Sequence, residues 1–256
     1  MFDEVIRVVR KWFDNHEGMQ LTIGNVSNPD LEENPSLTET VRSASTIILK
    51  EDTQLELGHP SVGSSNAILT TKASGLVIGN QITIVGPDLP EVKTDKLPFA
   101  QVIVAHCQEE IEQIPFRLDN LLYKHVQYNG YMIRSVPGQI WARVSKDAFQ
   151  SGFTLLDLGK RLLNIIKQKC PVVFKADVYF VTSRKADIDE LEKLLAEAKA
   201  KLQKIQTFGQ NPDGDYECDT ALDCEECPEQ EVCDTIRDVI KIRKGDRIIS
   251  LGKESE

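Results

Sequence analysis

Four cysteines within sixteen residues, Cys218, Cys224, Cys227 and Cys233, are spaced C-x5-C-x2-C-x5-C. The central Cys-x2-Cys pair puts two thiolates on one tight turn, and the outer two can complete a four-thiolate set. Such a donor set suits an iron–sulfur cluster or a tetrahedral zinc, and ligand softness alone does not separate them. We expect a 4Fe-4S cluster, with structural zinc as the alternative and plain or disulfide-linked thiols as the remaining reading.

The charge around these cysteines bears on what they could meet. Residues 207–236 hold ten acids and no Lys or Arg, so this window accounts for the whole net charge of −10. Surrounding acids make a cluster harder to reduce and repel anionic partners, which excludes nucleic acid from this face and favours a basic protein surface. The chain opens into an amphipathic helix with no signal-peptide pattern, and no apolar run reaches membrane-spanning length. We therefore expect a cytoplasmic protein whose thiols are not needed as staples, since 256 residues with 41% apolar content can bury a core without them.

The other candidate residues carry less. Trp141 and Arg143 flank Ala142 and point to one face of a strand. An indole can stack on a planar base and a guanidinium can fork onto phosphate, or the pair can simply pack with Arg143 covering Trp141. His16, His59, His106 and His125 show no metal-ligand spacing. His106-Cys107 reads as a strand end, and Cys170, ahead of Pro171, reads as a buried thiol closing a helix. The Gly63-Ser64-Ser65 stretch lacks the lysine and helix of a phosphate loop.

The elements that must hold these residues follow from periodicity and punctuation. Residues 2–15 place Phe2, Val5, Ile6, Val9, Trp12 and Phe13 on one helical stripe. Asn28-Pro29 and Asn34-Pro35 mark a loop, and Ser36 could cap a second helix over 39–48. Residues 55–89 have β texture: 67–70, 76–78 and 82–85 read as strands of a small, mostly antiparallel sheet, with a hairpin turn at Gly79-Asn80. Next come a strand over 99–105, a helix over 109–128 with Pro115 near its start, and a strand over 140–144. A helix capped by Thr154 runs to Lys169, followed by a strand over 172–181 and a charged helix over 186–205. A final hairpin around Gly245 is expected over 239–251. The class is α+β: N-terminal helices and a small β-rich part, then an α/β layer, then a Cys-rich C-terminal segment. We divide the chain into residues 1–50, 51–206 and 207–256.

Residues 139–149, QIWARVSKDAF, followed by Gly152-Phe153-Thr154 and Leu158-Gly159-Lys160, resemble the middle domain of acetyl-CoA synthase. That enzyme is the β subunit of the carbon monoxide dehydrogenase/acetyl-CoA synthase complex. Its family has a Trp-x-Arg-(Val or Ile)-Ser-Lys-x-Ala-Phe run, a Gly-containing loop, a Leu-Gly-x helix, a strand and a charged helix. Glu56-Leu57-Gly58-x-Pro60 and Val85-Gly86-Pro87-Asp88-Leu89 stand upstream in the same order, and Tyr216-Glu217-Cys218 falls where the family's cluster motif begins. The likeness spans about residues 55–218.

The departures matter as well. The first cysteine gap is x5 where the family has x2, the family's arginine pair is replaced near Asp119-Asn120, and these residues contain no Cys-x-Cys to hold nickel. The resemblance therefore implies the middle domain without the nickel-binding catalytic domain. It also implies coenzyme A as a ligand of the Trp141–Arg143 neighbourhood. The function implied is that of an iron–sulfur protein of anaerobic one-carbon and acetyl-CoA metabolism, not catalytic alone. It would transfer electrons or dock a partner: a corrinoid iron–sulfur protein, carbon monoxide dehydrogenase or another redox protein. Two alternatives stand beside it, a zinc-stapled non-redox interaction module and one half of a split CO-methylating acetyl-CoA synthase, an acyltransferase.

Overall fold

Helical spacing of apolar residues builds the first element, α1 (Asp3–Asn15), whose Val5, Ile6, Val9 and Phe13 are buried along one face. The computed structural model describes residues 2–16, 20–23, 48–108, 114–125, 130–136 and 138–207. After α1 come β1 (Gln20–Ile23), β2 (Thr53–Leu57), β3 (Ser64–Thr71), β4 (Ile82–Val85), β5 (Lys96–Leu97) and β6 (Phe99–Cys107). Then follow α2 (Ile114–His125), β7 (Tyr131–Val136), β8 (Gln139–Ser145), α3 (Lys146–Gln150), α4 (Leu155–Lys169), β9 (Val173–Val181) and α5 (Lys185–Thr207). The class is α+β, as the sequence leads one to expect.

The strands form two mixed sheets, ordered β1-β4-β9-β6-β3 and β5-β2-β8-β7. In the first, β1/β4 and β6/β9 are antiparallel while β4/β9 and β3/β6 are parallel. Its inner strand β6, between β9 and β3, is almost wholly buried because both faces are covered, which is why it reads as a continuous apolar run. Alternate residues serve two cores. Phe99, Ile103 and Ala105 face α2, α4 and the inner face of the second sheet. Ala100, Val102 and Val104 face α1 and α5.

Local chemistry sets the helix starts. Thr154 Oγ1 accepts the Asp157 N–H at 3.0 Å and donates to Asp157 Oδ2 at 2.7 Å, capping α4. The Asp88 carboxylate accepts the Leu155 N–H at 2.7 Å, so the loop after β4 is tied to the same helix end. Burial is the main influence on Asp88, raising its pKa against the backbone bonds that lower it. Ser145 caps α3 by accepting from Ala148 N–H at 3.1 Å.

The β-rich stretch pairs differently from the expectation. Residues 74–76 form a 3-10 turn and 77–78 belong to no strand. The strands of this stretch do not pair with one another: β3 runs parallel to β6, β4 parallel to β9, and β2 antiparallel to β8. Gly79 and Asn80 do adopt positive φ, at 105° and 59°. Yet they close no hairpin. Their loop wraps the buried carboxylate of Asp177, which accepts N–H groups from Ile78 and Gly79 at 2.7 Å and from Gln81 at 3.1 Å. Turn chemistry is local, whereas the choice of partner strand is made by long-range burial.

The remaining elements match in kind. The helix begins at Ile114, with Pro115 in its first turn, where a missing N–H costs nothing. The proposed helix over 39–48, apart from Ile48, and the hairpin over 239–251 lie outside the described residues. No described helix is long and apolar enough to cross a membrane.

Candidate functional site

Alternation along β8 sorts its residues onto two faces. Ile140, Ala142 and Val144 are fully buried, while Trp141 and Arg143 stand together on the half-exposed outer face. Antiparallel pairing with β2 sets Glu56 opposite Arg143, and pairing with β7 sets Met132 opposite Arg143 on the other side. The sheet thus brings together residues far apart in sequence.

Arg143 is committed on this face. Its Nε donates to Glu56 Oε1 at 3.1 Å and its Nη1 to the Ile48 carbonyl at 3.0 Å. The guanidinium carbon lies 4.7 Å from the centroid of the Trp141 ring, a cation–π arrangement. Glu56 in turn has His59 Nε2 at 4.0 Å, and His59 Nδ1 is 2.7 Å from Ser61 Oγ. The Trp141 Nε1 is buried with no hydrogen-bond partner. A planar ring stacking on the face of Trp141 that Arg143 covers would have to displace Arg143, and a phosphate taking the Arg143 Nε would compete with Glu56.

The other sequence candidates are dispersed. His16 Nε2 is 3.5 Å from Asp187 Oδ2, and His106 Nε2 is 3.1 Å from the Lys72 carbonyl. The His125 side chain lies outside the described set. Among the described residues no group of three or more His, Cys, Asp or Glu side chains could hold a metal. Cys218, Cys224, Cys227 and Cys233 lie outside the described residues; α5 ends at Thr207, ahead of Tyr216-Glu217-Cys218. Cys107 is buried at the end of β6, and Cys170 is the C-cap of α4, where it is partly exposed and not the buried thiol expected, because the helix ends at the margin of the core.

Sequence reasoning missed a polar node beneath the β7–β8 turn. Lys199 Nζ donates to Ser65 Oγ at 3.0 Å and to the Gly138 carbonyl at 2.7 Å, and pairs with Glu192. Burial holds the Lys199 ammonium below the usual lysine range, against the Glu192 charge and hydrogen bond that raise it. Beside it, Asn66 Nδ2 donates to Asp119 Oδ1 at 3.1 Å while Asn66 Oδ1 is buried without a partner. Burial raises the Asp119 carboxyl, and the Asn66 bond lowers it by less. Only Gly138, as turn chemistry, carries a sequence signal here.

Comparison with known proteins adds a separate finding. A family model described as the CO dehydrogenase/acetyl-CoA synthase complex beta subunit matches residues 41–187. The acetyl-CoA decarbonylase/synthase complex subunit beta 2 of Methanocaldococcus jannaschii is 28% identical over 148 residues, covering 56% of this chain and 30% of that protein. The subunit beta of Methanothermobacter thermautotrophicus is 28% identical over 159 residues, covering 60% of this chain and 32% of that protein. The subunit beta 2 of Methanosarcina acetivorans is 28% identical over 156 residues, with the same two shares, 60% and 32%. The chain spans about a third of the length of these curated relatives.

Proposed function

This chain belongs to the family of the CO dehydrogenase/acetyl-CoA synthase complex beta subunit, and on that premise we propose that it is an accessory iron–sulfur subunit of anaerobic one-carbon metabolism. It works in the cytoplasm, carrying electrons or docking a partner, and these 256 residues hold no Cys-x-Cys with which to bind nickel. The observation that carries this reading is the quartet Cys218, Cys224, Cys227 and Cys233 following a family-like α+β body. Four thiolates are the donor set a 4Fe-4S cluster takes, one for each iron. Bound there, the cluster would supply one-electron transfer. The chain's own contribution is the acidic surround of residues 207–236, which disfavours reduction and steers a basic protein surface to the site.

Protein partners fit the family, because the relatives are named as subunits of a complex. Carbon monoxide dehydrogenase, a corrinoid iron–sulfur protein or another redox protein would supply or accept the electron. Metal and sulfide analysis of anaerobically isolated protein tests the reading. The expected result is a brown protein with about four irons and four sulfides, and loss of that iron in Cys224→Ser. A colourless protein with one zinc would replace it with the zinc-stapled interaction module.

A second reading is favoured by Trp141 and Arg143 standing together on one face of β8. In it the chain is one half of a split acetyl-CoA synthase, with the nickel site on another chain and coenzyme A held near Trp141 and Arg143. It requires this chain to bind coenzyme A in a calorimetric titration, with binding lost in Trp141→Ala. No heat of binding would remove it.

A further inference from the structure

Two thiols outside the Cys-rich segment converge at one corner of the first sheet. Cys107 is the last residue of β6 and stands opposite Val173 of β9, just past a bulge that leaves Phe174 unmatched. Val173 N–H donates to the Cys170 carbonyl at 3.0 Å, so residues 170–173 form a tight turn from the end of α4 into β9. The Gln108 N–H reaches the Val172 carbonyl at 3.4 Å, holding the end of β6 against the same turn. A cross-strand pair and a turn are each short steps between Cα atoms, so two such steps link the cysteines at this corner, and Cys170 is near enough to act electrostatically on the Cys107 thiol. Both pack in the same core, Cys107 inside it and Cys170 at its margin.

The geometry points to Cys107 and Cys170 as a dithiol that closes to a disulfide by exchange with a low-molecular-weight disulfide, pinning the end of α4 to the end of β6. The half-exposed Cys170 attacks first, forming a mixed disulfide and releasing one small thiol. Cys107 then attacks the Cys170 sulfur, the intramolecular disulfide forms, and the second small thiol leaves. Two electrons pass to the small disulfide, and the two protons lost by the cysteines end on the released thiols. Burial, then the neighbouring Cys170, pushes the Cys107 thiol up to about 11. That slows Cys107 as a nucleophile, so it takes the resolving step, where attack is intramolecular and the effective concentration is one no outside thiol matches. The cysteines of the metal reading take no part, so either reading can fail without the other.

The test treats the 256-residue chain anaerobically with oxidised glutathione, blocks remaining thiols with iodoacetamide, and maps tryptic peptides without reduction. Fragment 97–117 joined to fragment 170–175 is expected, lost on adding dithiothreitol and absent in Cys107→Ser and Cys170→Ser. The wild-type map decides alone should either variant fold poorly. A persistent glutathione adduct on Cys170 with Cys107 still alkylated would overturn the assignment. So would a link from either residue to the cysteines at 218–233, or full alkylation of both.

Discussion

Glu56 and Arg143 stand directly opposite each other on antiparallel β2 and β8, joined at 3.1 Å from Arg143 Nε to Glu56 Oε1. Their side chains are 14% and 19% exposed, so the pair is largely withdrawn from water while remaining on the outer face. Removing the carboxylate leaves a partly buried guanidinium with one bond fewer. Glu56→Ala should cost about 2 kcal/mol in urea denaturation, and most of that loss should persist in about 0.5 M salt, because a sheltered pair is screened less than an exposed one. A loss that vanished with salt would mean the pair behaves as a surface contact.

A seam joins the two sheets where Ser64 meets Ile140. Ser64 Oγ accepts the Ile140 N–H at 2.8 Å and donates to the Ile140 carbonyl. Gly58 completes the seam: its φ is +67°, and a Cβ there would strike the Ile140 carbonyl oxygen. Gly58→Ala therefore meets both a left-handed backbone and a backbone clash, and should cost about 3 kcal/mol or more. Ser64→Ala loses hydrogen bonds without a clash and should cost about 1–2 kcal/mol. Thermal denaturation of both variants checks the order, which the seam requires to be Gly58→Ala below Ser64→Ala below wild type.

Helix α4 lies against β4 at Gly159, where a Cβ would come within 2.9 Å of Ile82 Cδ1 and Cγ2. An alanine in a helix interior ordinarily gains about 1 kcal/mol over glycine. Here Gly159→Ala should instead lose about 1–3 kcal/mol by overpacking. Combining it with Ile82→Val, which removes Cδ1, should give a loss smaller than the sum of the two single changes. Strict additivity in a double-mutant cycle would refute the contact.

Asp119 gives a prediction with a pH sign. Burial raises its folded-state pKa above the ordinary 3.8, so the folded protein binds that proton more tightly than the unfolded chain. Its contribution is thus most favourable below the unfolded value and declines as pH rises through the folded one. Asp119→Asn removes the charge and offers an amide N–H to the orphaned Asn66 Oδ1 while keeping an acceptor for Asn66 Nδ2. The variant should be more stable than wild type by about 1 kcal/mol at pH 7, with the gap narrowing toward pH 4. Urea midpoints across that range would show a constant gap if Asp119 were not titrating between them.

Much of the framework was legible in the chain. The stripe Val5, Ile6, Val9 and Phe13 announced α1, Thr154 announced the start of α4, and the Trp141-x-Arg143 alternation announced a strand with its two faces. The family resemblance rested on the same kind of contiguous text, residues 139–149 and their neighbours. The expectation of a four-thiolate donor set likewise rests only on the spacing of Cys218, Cys224, Cys227 and Cys233. These are local properties, since a helix repeat, a cap or a Cys-x2-Cys turn involves residues within a few positions of one another.

Partner choice belonged to the fold. Period-two alternation says which side chains face inward, but it assigns no partner strand, so β3 and β4 could join separate neighbours instead of each other. For the same reason Glu56 as the carboxylate facing Arg143, Asn66 as the partner of Asp119, and Cys170 as the thiol near Cys107 emerge only from tertiary structure. Each pair is separated by dozens of residues. Each is brought together because burying the sheet faces outweighs the chain entropy of closing such long loops, a balance no local pattern records.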